Sequence, residues 1–369
     1  QMMKIKCSQL ALAQAIGMVN RAVSPNNTLP VLNNILVRAG KGKLYLSATN
    51  LEIAINAVFE ANVEKEGSLT VPAKIFTAYV PLLDGDEVSL TEEEGNTLEI
   101  KSKGAMTKIK GISSEDFPML PKLDGAQKFN LPAKDVRAAI EQVAFTASTN
   151  ISRPVLTGTL WVLDGNNVKI VATDSYRLAE KTMDLAGHFD KKTSFIVPAR
   201  TAQELAKILV GTNSIELELH VASNQILFKV DGVELTSRLI DGAFPDYEKI
   251  IPKSSKTSAK INVAEFLSAL KRVSVIVKEN NNSIKISLDS GKITMSTDKT
   301  QVGEGFCEFS VEMEGEKADA ALNVQYLIDA LSHLEDENVI FSLNDSLSPV
   351  ILRPAKPGGY VHIIMPLKV

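Results

Sequence analysis

Residues 152–178 read SRPVLTGTLWVLDGNNVKIVATDSYRL, and residues 28–55 read TLPVLNNILVRAGKGKLYLSATNLEIAI. Pro30-Val31-Leu32 answers Pro154-Val155-Leu156, and Ala48-Thr49 answers Ala172-Thr173, about 124 residues further on. A looser version, SIKISLDSGKITMSTDK, fills residues 283–299. Each stretch holds two runs with period-2 alternation, as in Val168/Ile170 and Ile284/Ile286/Leu288, which predicts paired strands. The middle copy turns at Asp164-Gly165-Asn166-Asn167 and ends in a polar-then-basic corner, Thr173-Asp174-Ser175-Tyr176-Arg177-Leu178. Gly40, Gly165 and Gly291 are the expected turn residues, because glycine accepts positive φ without steric cost.

The repeat extends outward from this unit. A short strand and a helix precede it: Leu12, Ile16 and Val19 share one helical stripe, as do Val136, Ile140 and Val143, and Phe266, Leu270, Val273 and Val277. A second helix follows, opened by Val71-Pro72-Ala73-Lys74 and by Val197-Pro198-Ala199-Arg200, where proline suits a first turn that needs no N–H. Asn323, a good N-cap, takes that place in the third copy. More strands come next, over Glu87–Thr91, Thr97–Lys101, Ile215–Val221, Gln225–Val230 and Val339–Leu343. Two copies close on Phe117-Pro118 and Phe244-Pro245, the third on Met365-Pro366. The fold class is therefore α+β, three tandem copies of a sheet-plus-two-helices domain, with boundaries at 1–124, 125–254 and 255–369. The register of the third copy at Thr297-Asp298 stays open by one residue.

The chain has 369 residues, 44% hydrophobic and 23% charged, as in ordinary soluble globular proteins. Cys7 and Cys307 form no disulfide framework, no apolar run reaches membrane-spanning length, and the start lacks a signal-peptide core. Met3 reads as the natural start, after Gln1 and Met2 as a cloning remnant. A soluble cytoplasmic protein without membrane partners is expected.

Enzyme signatures are missing. Gly158 and Gly165 stand alone, no glycine-rich stretch opens a helix, and His188, His220, His333 and His362 have no second ligand at metal spacing. Asp174 is matched by Asn50 in the first copy, which suits hydrogen bonding to the corner backbone better than acid–base work. No catalytic residue, cofactor or metal is expected. The helices lean basic against a net charge of −4, carrying Arg21, Lys74, Arg200, Lys207, Lys271 and Arg272. Cations on a shared helical face suit a phosphate backbone read without regard to sequence. A domain of this size is a globule about 35 Å across, and six in a closed two-fold ring would leave an opening of about that width, enough for duplex DNA.

SRPVLTGTL, VATDSYRLA, the Phe-Pro closures and the final YVHIIMPLKV together resemble the bacterial DNA polymerase III beta subunit family, the replicative sliding clamps, over essentially the whole chain. The resemblance implies a non-catalytic, head-to-tail homodimeric ring on DNA. It tethers the replicative polymerase and is opened by a clamp loader. It also implies a pocket for partner peptides lined by Leu156, Thr173, Ser175, Tyr176, Arg177, Leu178, Pro245, Lys249 and Ile250. From the third copy come Asn323, Tyr326, Val350, Ile363, Met365, Leu367 and Lys368. Ser175-Tyr176 departs from a common Gly-His pattern, and Lys249 and Lys368 stand where arginine is frequent. DNA contacts are implied at Asn26, Asn27, Asn150 and Arg200. The dimer contact is expected between an edge strand at Thr107 and Ile109 and the segment at Val275 and Ile276. The competing reading is a three-domain peptide-binding scaffold that does not encircle DNA.

Overall fold

The computed structural model describes residues 2–24, 28–120, 123–278 and 281–368. The first repeat runs β1 (Lys4–Ser8), α1 (Gln9–Val19), β2 (Asn34–Gly40), β3 (Lys43–Thr49), β4 (Ile53–Glu60), β5 (Asn62–Lys65) and β6 (Gly67–Pro72). It continues with α2 (Ala73–Tyr79), β7 (Glu87–Glu93), β8 (Thr97–Ser102), β9 (Ala105–Lys110) and β10 (Ile112–Ser113). The second comprises β11 (Gln127–Pro132), α3 (Ala133–Val143), β12 (Gly158–Thr173), β13 (Arg177–Pro198), α4 (Ala199–Val210), β14 (Glu216–Val221), β15 (Gln225–Val230) and β16 (Val233–Arg238). The third opens with β17 (Thr257–Asn262), α5 (Val263–Val277), β18 (Ser283–Asp289), β19 (Lys292–Ser296), β20 (Phe306–Ser310) and β21 (Glu312–Gly315). It ends with β22 (Ala318–Asn323), α6 (Val324–Ser332), β23 (Asn338–Leu343), β24 (Val350–Pro354) and β25 (Tyr360–Ile364).

The helices start where side chains can cap them. Ser8 accepts from the Ala11 amide (3.2 Å) and Asn262 from Glu265 (3.0 Å), each satisfying one orphan donor of a first turn. Pro72 stands at the N-cap of α2 itself, just outside the helix. The expected apolar stripes all face inward: Leu12, Ile16 and Val19 on α1, Val136, Ile140 and Val143 on α3, and Phe266, Leu270, Val273 and Val277 on α5 are buried. Each such side chain contributes roughly 1.5–3 kcal/mol.

Two of the three expected turns need correction. The first hairpin turns on Lys41 (φ 52°) and Gly42 (φ 72°), not on Gly40, which is the last residue of β2. Two positive φ values match the right-handed twist of the flanking strands, and Ser290-Gly291 (φ 51° and 75°) repeats the arrangement. In the middle copy a single strand, β12, spans Asp164-Gly165-Asn166-Asn167, with no hairpin turn there. The register with β13 breaks on either side of Gly165 (φ 57°), so the site is a register break within β12.

Sheet boundaries do not follow repeat boundaries. A nine-stranded sheet runs β10-β6-β2-β3-β4-β16-β15-β14-β11, joining the first repeat to the second through the antiparallel β4–β16 ladder, Ile53↔Ser237 to Ala57↔Val233. A seven-stranded sheet, β12-β13-β25-β24-β23-β17-β21, joins the second to the third through β13–β25, Arg177↔Ile364 to Lys181↔Tyr360. The other two sheets are β5-β1-β7-β8-β9 and β20-β19-β18-β22. This sharing divides the chain into two compact units, Gln1–Arg137 with Glu204–Leu239, and Ala138–Gln203 with Ile240–Val369. The candidate peptide residues all fall in the second unit. One of its cores packs Phe266 edge-on against Phe341, with ring centroids 5.5 Å apart, beneath α5 and α6.

Candidate functional site

The corner between β12 and β13 is built from its own side chains. Thr173 Oγ1 donates to the Arg177 carbonyl (2.7 Å) and accepts from the Ser175 amide (3.2 Å), while Asp174 Oδ1 accepts from the amides of Tyr176 (2.9 Å) and Arg177 (3.0 Å). Ser175 is held at φ 79°. The first repeat makes the same corner: Thr49 bonds Ile53 O and Leu51 N, Asn50 Oδ1 accepts from Glu52 and Ile53, and Leu51 sits at φ 73°. Asp and Asn interchange because either offers the required acceptor oxygen. The third repeat departs: Thr297 Oγ1 accepts from Gly305 N (2.8 Å), on a different loop path.

The two corners part most sharply in chemistry at their last residue. Where the first corner ends on buried Ile53, the second ends on Arg177, whose side chain is only 12% exposed. Its Nε meets Asp174 Oδ2 at 3.1 Å, Nη1 donates to Asp329 Oδ2 at 2.7 Å, and Nη2 donates to the Phe145 carbonyl at 3.5 Å. The guanidinium lies 4.5 Å from the Tyr326 ring centroid and 5.7 Å from that of Phe145. Burial, reinforced by the Asp174 carboxylate, raises the Tyr326 phenol above its usual range. Arg153 Nη1 donates to Ser175 Oγ at 2.8 Å from the rim.

β25 fastens this corner to the third repeat. Leu178 pairs with Ile363, the Met365 amide donates to Tyr176 O (2.8 Å), and the Leu367 amide donates to Ala321 O (2.8 Å). Beneath Arg177, Phe145 stacks on His333 (3.9 Å between centroids) and on His362 (5.9 Å). The Tyr360 hydroxyl donates to Gln142 O (3.1 Å), so the fully buried His362 carries its proton on Nδ1, 3.2 Å from that hydroxyl. Its Nε2 is buried without a hydrogen-bond partner. Burial first, then the charge of Arg177 and the proximity of His333, push the imidazole down to about 3.

The candidate peptide residues divide by exposure. Leu156, Leu178, Val350 and Ile363 are buried at 3% or less and belong to the packed interior rather than to an open wall. Thr173 is buried in the corner and Asn323 caps α6, accepting from Gln325 and Tyr326. Met365, Leu367, Tyr326 and Arg177 are half-buried; Ser175, Tyr176, Pro245, Lys249, Ile250 and Lys368 are exposed. Lys249 is paired with Asp246 at 2.7 Å. Sequence reading missed Phe145, Asp329, His333 and His362 as parts of this site. Asp329 lies 152 residues from Arg177, and no local pattern signals the pairing.

Among the candidate DNA residues, Asn26 and Asn27 lie outside the described residues. In the first unit, Arg21 and Lys207 share Glu204, at 3.5 and 3.0 Å, so part of their charge is already met; Lys74 is exposed on α2. In the second, Asn150, Arg200, Lys271 and Arg272 are exposed, with Asn150 Oδ1 accepting from Ser152 N and Arg272 bonded to Ser268 Oγ and Cys307 Sγ.

The dimer expectation needs two corrections. β9 is an edge strand, but its alternation turns Ile109 (4% exposed) inward and leaves Thr107 half-buried, while Met106 (57%) faces out. Val275 and Ile276 lie on helix α5, whose amides and carbonyls are already paired, so that segment cannot extend a sheet. β20 is an edge strand of the third repeat's four-stranded sheet, with Phe306 69% exposed at its start.

Tandem two-helix domains that share sheets define a scaffold or clamp class, and the comparisons specify it. Models of the N-terminal, central and C-terminal domains of the DNA polymerase III beta subunit match residues 3–121, 130–246 and 248–368. The chain is 30% identical to the beta sliding clamp of Chlamydia pneumoniae over 368 residues, 99% of each chain. Its fold matches the Bacillus subtilis DNA polymerase sliding clamp (TM-score 0.93, 27% identity) and the Pseudomonas aeruginosa DnaN sliding clamp solved bound to griselimycin (TM-score 0.94, 26% identity), covering all of both chains in each case. The chain belongs to the DNA polymerase III beta subunit family, the beta sliding clamps. It is thereby a sliding clamp of DNA replication, a subunit that carries no catalytic site of its own.

Proposed function

We propose that two copies of this chain, each with domains 1–124, 125–254 and 255–369, close head to tail around duplex DNA in the cytoplasm. The ring holds the replicative polymerase on its template without any cofactor. The observation that carries the proposal is the way repeats are joined. β4 follows the first corner and pairs with β16, the closing strand of the second repeat; β13 follows the second corner and pairs with β25, the closing strand of the third. β20 follows the third corner and β9 closes the sheet of the first repeat, and both are sheet edges. One more junction of the same kind, β20 to the partner's β9, hides both edges, with Met106, Phe306 and the flanking Val275 and Ile276 supplying apolar cover. The exposed cations Lys74, Arg200, Lys271 and Arg272, with Asn150, suit weak, sequence-blind phosphate contacts. The surface around Tyr176, Ile250, Met365 and Leu367 suits short apolar peptides of the polymerase, the clamp loader and other partners, with Leu178 and Ile363 beneath as its floor.

The test is topological. The protein is loaded onto nicked circular DNA by a clamp loader, and the circle is then cut. Release on linearisation is expected; retention on the linear form, or no retention on the circle, favours a scaffold that does not encircle DNA.

A further inference from the structure

α6 and its C-cap residue present Tyr326, Asp329 and His333, spaced three and four residues apart, as one stripe toward the corner of the second repeat. Asp329 is the member of that stripe with a fixed charge. Gln325, one turn earlier, donates through Nε2 to Asp329 Oδ1 at 2.8 Å, which leaves Oδ2 aimed at Arg177 Nη1. Arg177 then has a partner at each nitrogen and rings beside its plane. We propose that Asp329 is a positioning residue that sets the charge selectivity of the peptide surface: by occupying Arg177 it withholds the guanidinium from acidic ligand groups.

The inference rests on the peptide-site reading above and adds what the site discriminates. A guanidinium is always charged and its planar fork favours carboxylates, so an unoccupied Arg177 beside Tyr176 would select acidic peptides. Here two carboxylates, Asp174 and Asp329, face that single cation, while Arg153, bonded to Ser175 Oγ, is the exposed cation at the rim. Lys249, an exposed cation of the candidate set, is itself held by Asp246. An acidic residue placed over Arg177 therefore meets a guanidinium whose donors are already taken.

The experiment compares two fluorescein-labelled peptides, Ala-Leu-Ala-Leu-Phe and Ala-Leu-Asp-Leu-Phe, by fluorescence anisotropy against the full-length protein. Wild type is expected to bind the aspartate peptide no better than its neutral counterpart. Asp329→Asn keeps the shape and removes one charge, and is expected to shift the ratio of affinities toward the aspartate peptide by about five-fold, the effect of one charge at 6–8 Å in a partly solvated site. Raising salt should erode that shift, and Asp329→Glu should return the ratio toward wild type. An unchanged ratio in Asp329→Asn, or an equal loss for both peptides, overturns the inference and leaves Asp329 a packing residue. The paired Leu178→Ala/Met365→Ala variant keeps the two levels apart. If it binds both peptides as wild type does, the site is elsewhere and the inference falls with it.

Discussion

His362 makes the second unit sensitive to mild acid. In the folded chain its imidazole is neutral, pushed down to about 3 by complete burial, by the adjacent Arg177 charge and by His333. In the unfolded chain it titrates near its ordinary value of about 6.5. Between those values the unfolded state holds one more proton than the folded state, so stability is complete above about 6.5 and declines as pH falls toward 3. At about 1.4 kcal/mol per unit, bringing the pH to 5 costs about 2 kcal/mol from this residue alone. For a cooperative unit of about 200 residues that is a drop of about 4–8 °C in Tm. Other groups titrate over the same range, so the informative quantity is a difference of differences. His362→Asn retains a donor to the Tyr360 hydroxyl and loses the titration. Calorimetry at pH 7.5 and pH 5.0 should show wild type losing about 2 kcal/mol more than the variant, although the variant starts lower because it leaves a small cavity. Equal losses in the two proteins, or a His362 imidazole resonance that titrates near 6 in the folded chain, would refute the reasoning.

Most of the architecture was legible because the repeat is written in residues that local physics dictates. Period-2 runs, helical stripes and capping residues specify the same elements in each copy, and Leu12, Ile140 and Phe266 are buried as their spacing requires. The hairpin glycine was misplaced because Gly40 and Gly42 are indistinguishable by composition. Only the ladder, ending on Gly40↔Lys43, decides which one turns. The division of sheets was not legible at all. β4 and β16 are paired across about 180 residues of sequence, and period-2 alternation names a strand's faces without naming its neighbour.

The site was legible in part for a related reason. Corner residues declare themselves locally, since Thr and Asp at the right spacing bond their own backbone, and Asn50 against Asp174 already pointed to that role. What occupies Arg177 comes from α6 and from Phe145, and what neutralises His362 is the absence of water around it. Neither leaves a trace in the neighbouring sequence. Which of the expected pocket residues are covered was not legible either: Leu178 and Ile363, paired across the ladder, pack in one core, and Val350, on the opposite face of the sheet, packs in another.

The two cysteines should separate cleanly in a thiol-labelling assay. Cys7 is buried, and burial with Glu87 nearby pushes its thiol up to about 12, so at pH 8 only about one molecule in ten thousand is thiolate. A folded chain should react with Ellman's reagent once, at the partly exposed Cys307, and twice only in denaturant; two fast equivalents from folded protein would contradict the buried placement. The dimer junction can be broken from either side. Phe306→Asp on β20 and Met106→Asp on β9 each alter an exposed side chain, so the fold of the single chain should survive, while a carboxylate on the joining edge must be desolvated without a partner as the strands meet. Losing several kcal/mol at that junction should move the species seen in sedimentation equilibrium from twice the 40.0 kDa chain mass to the chain mass itself. Because β9 and β20 are assigned to one interface, the two single variants should have the same effect and the double variant should add little beyond them. A dimer that persists in both would mean that the copies meet elsewhere, and that these edges are protected in some other way.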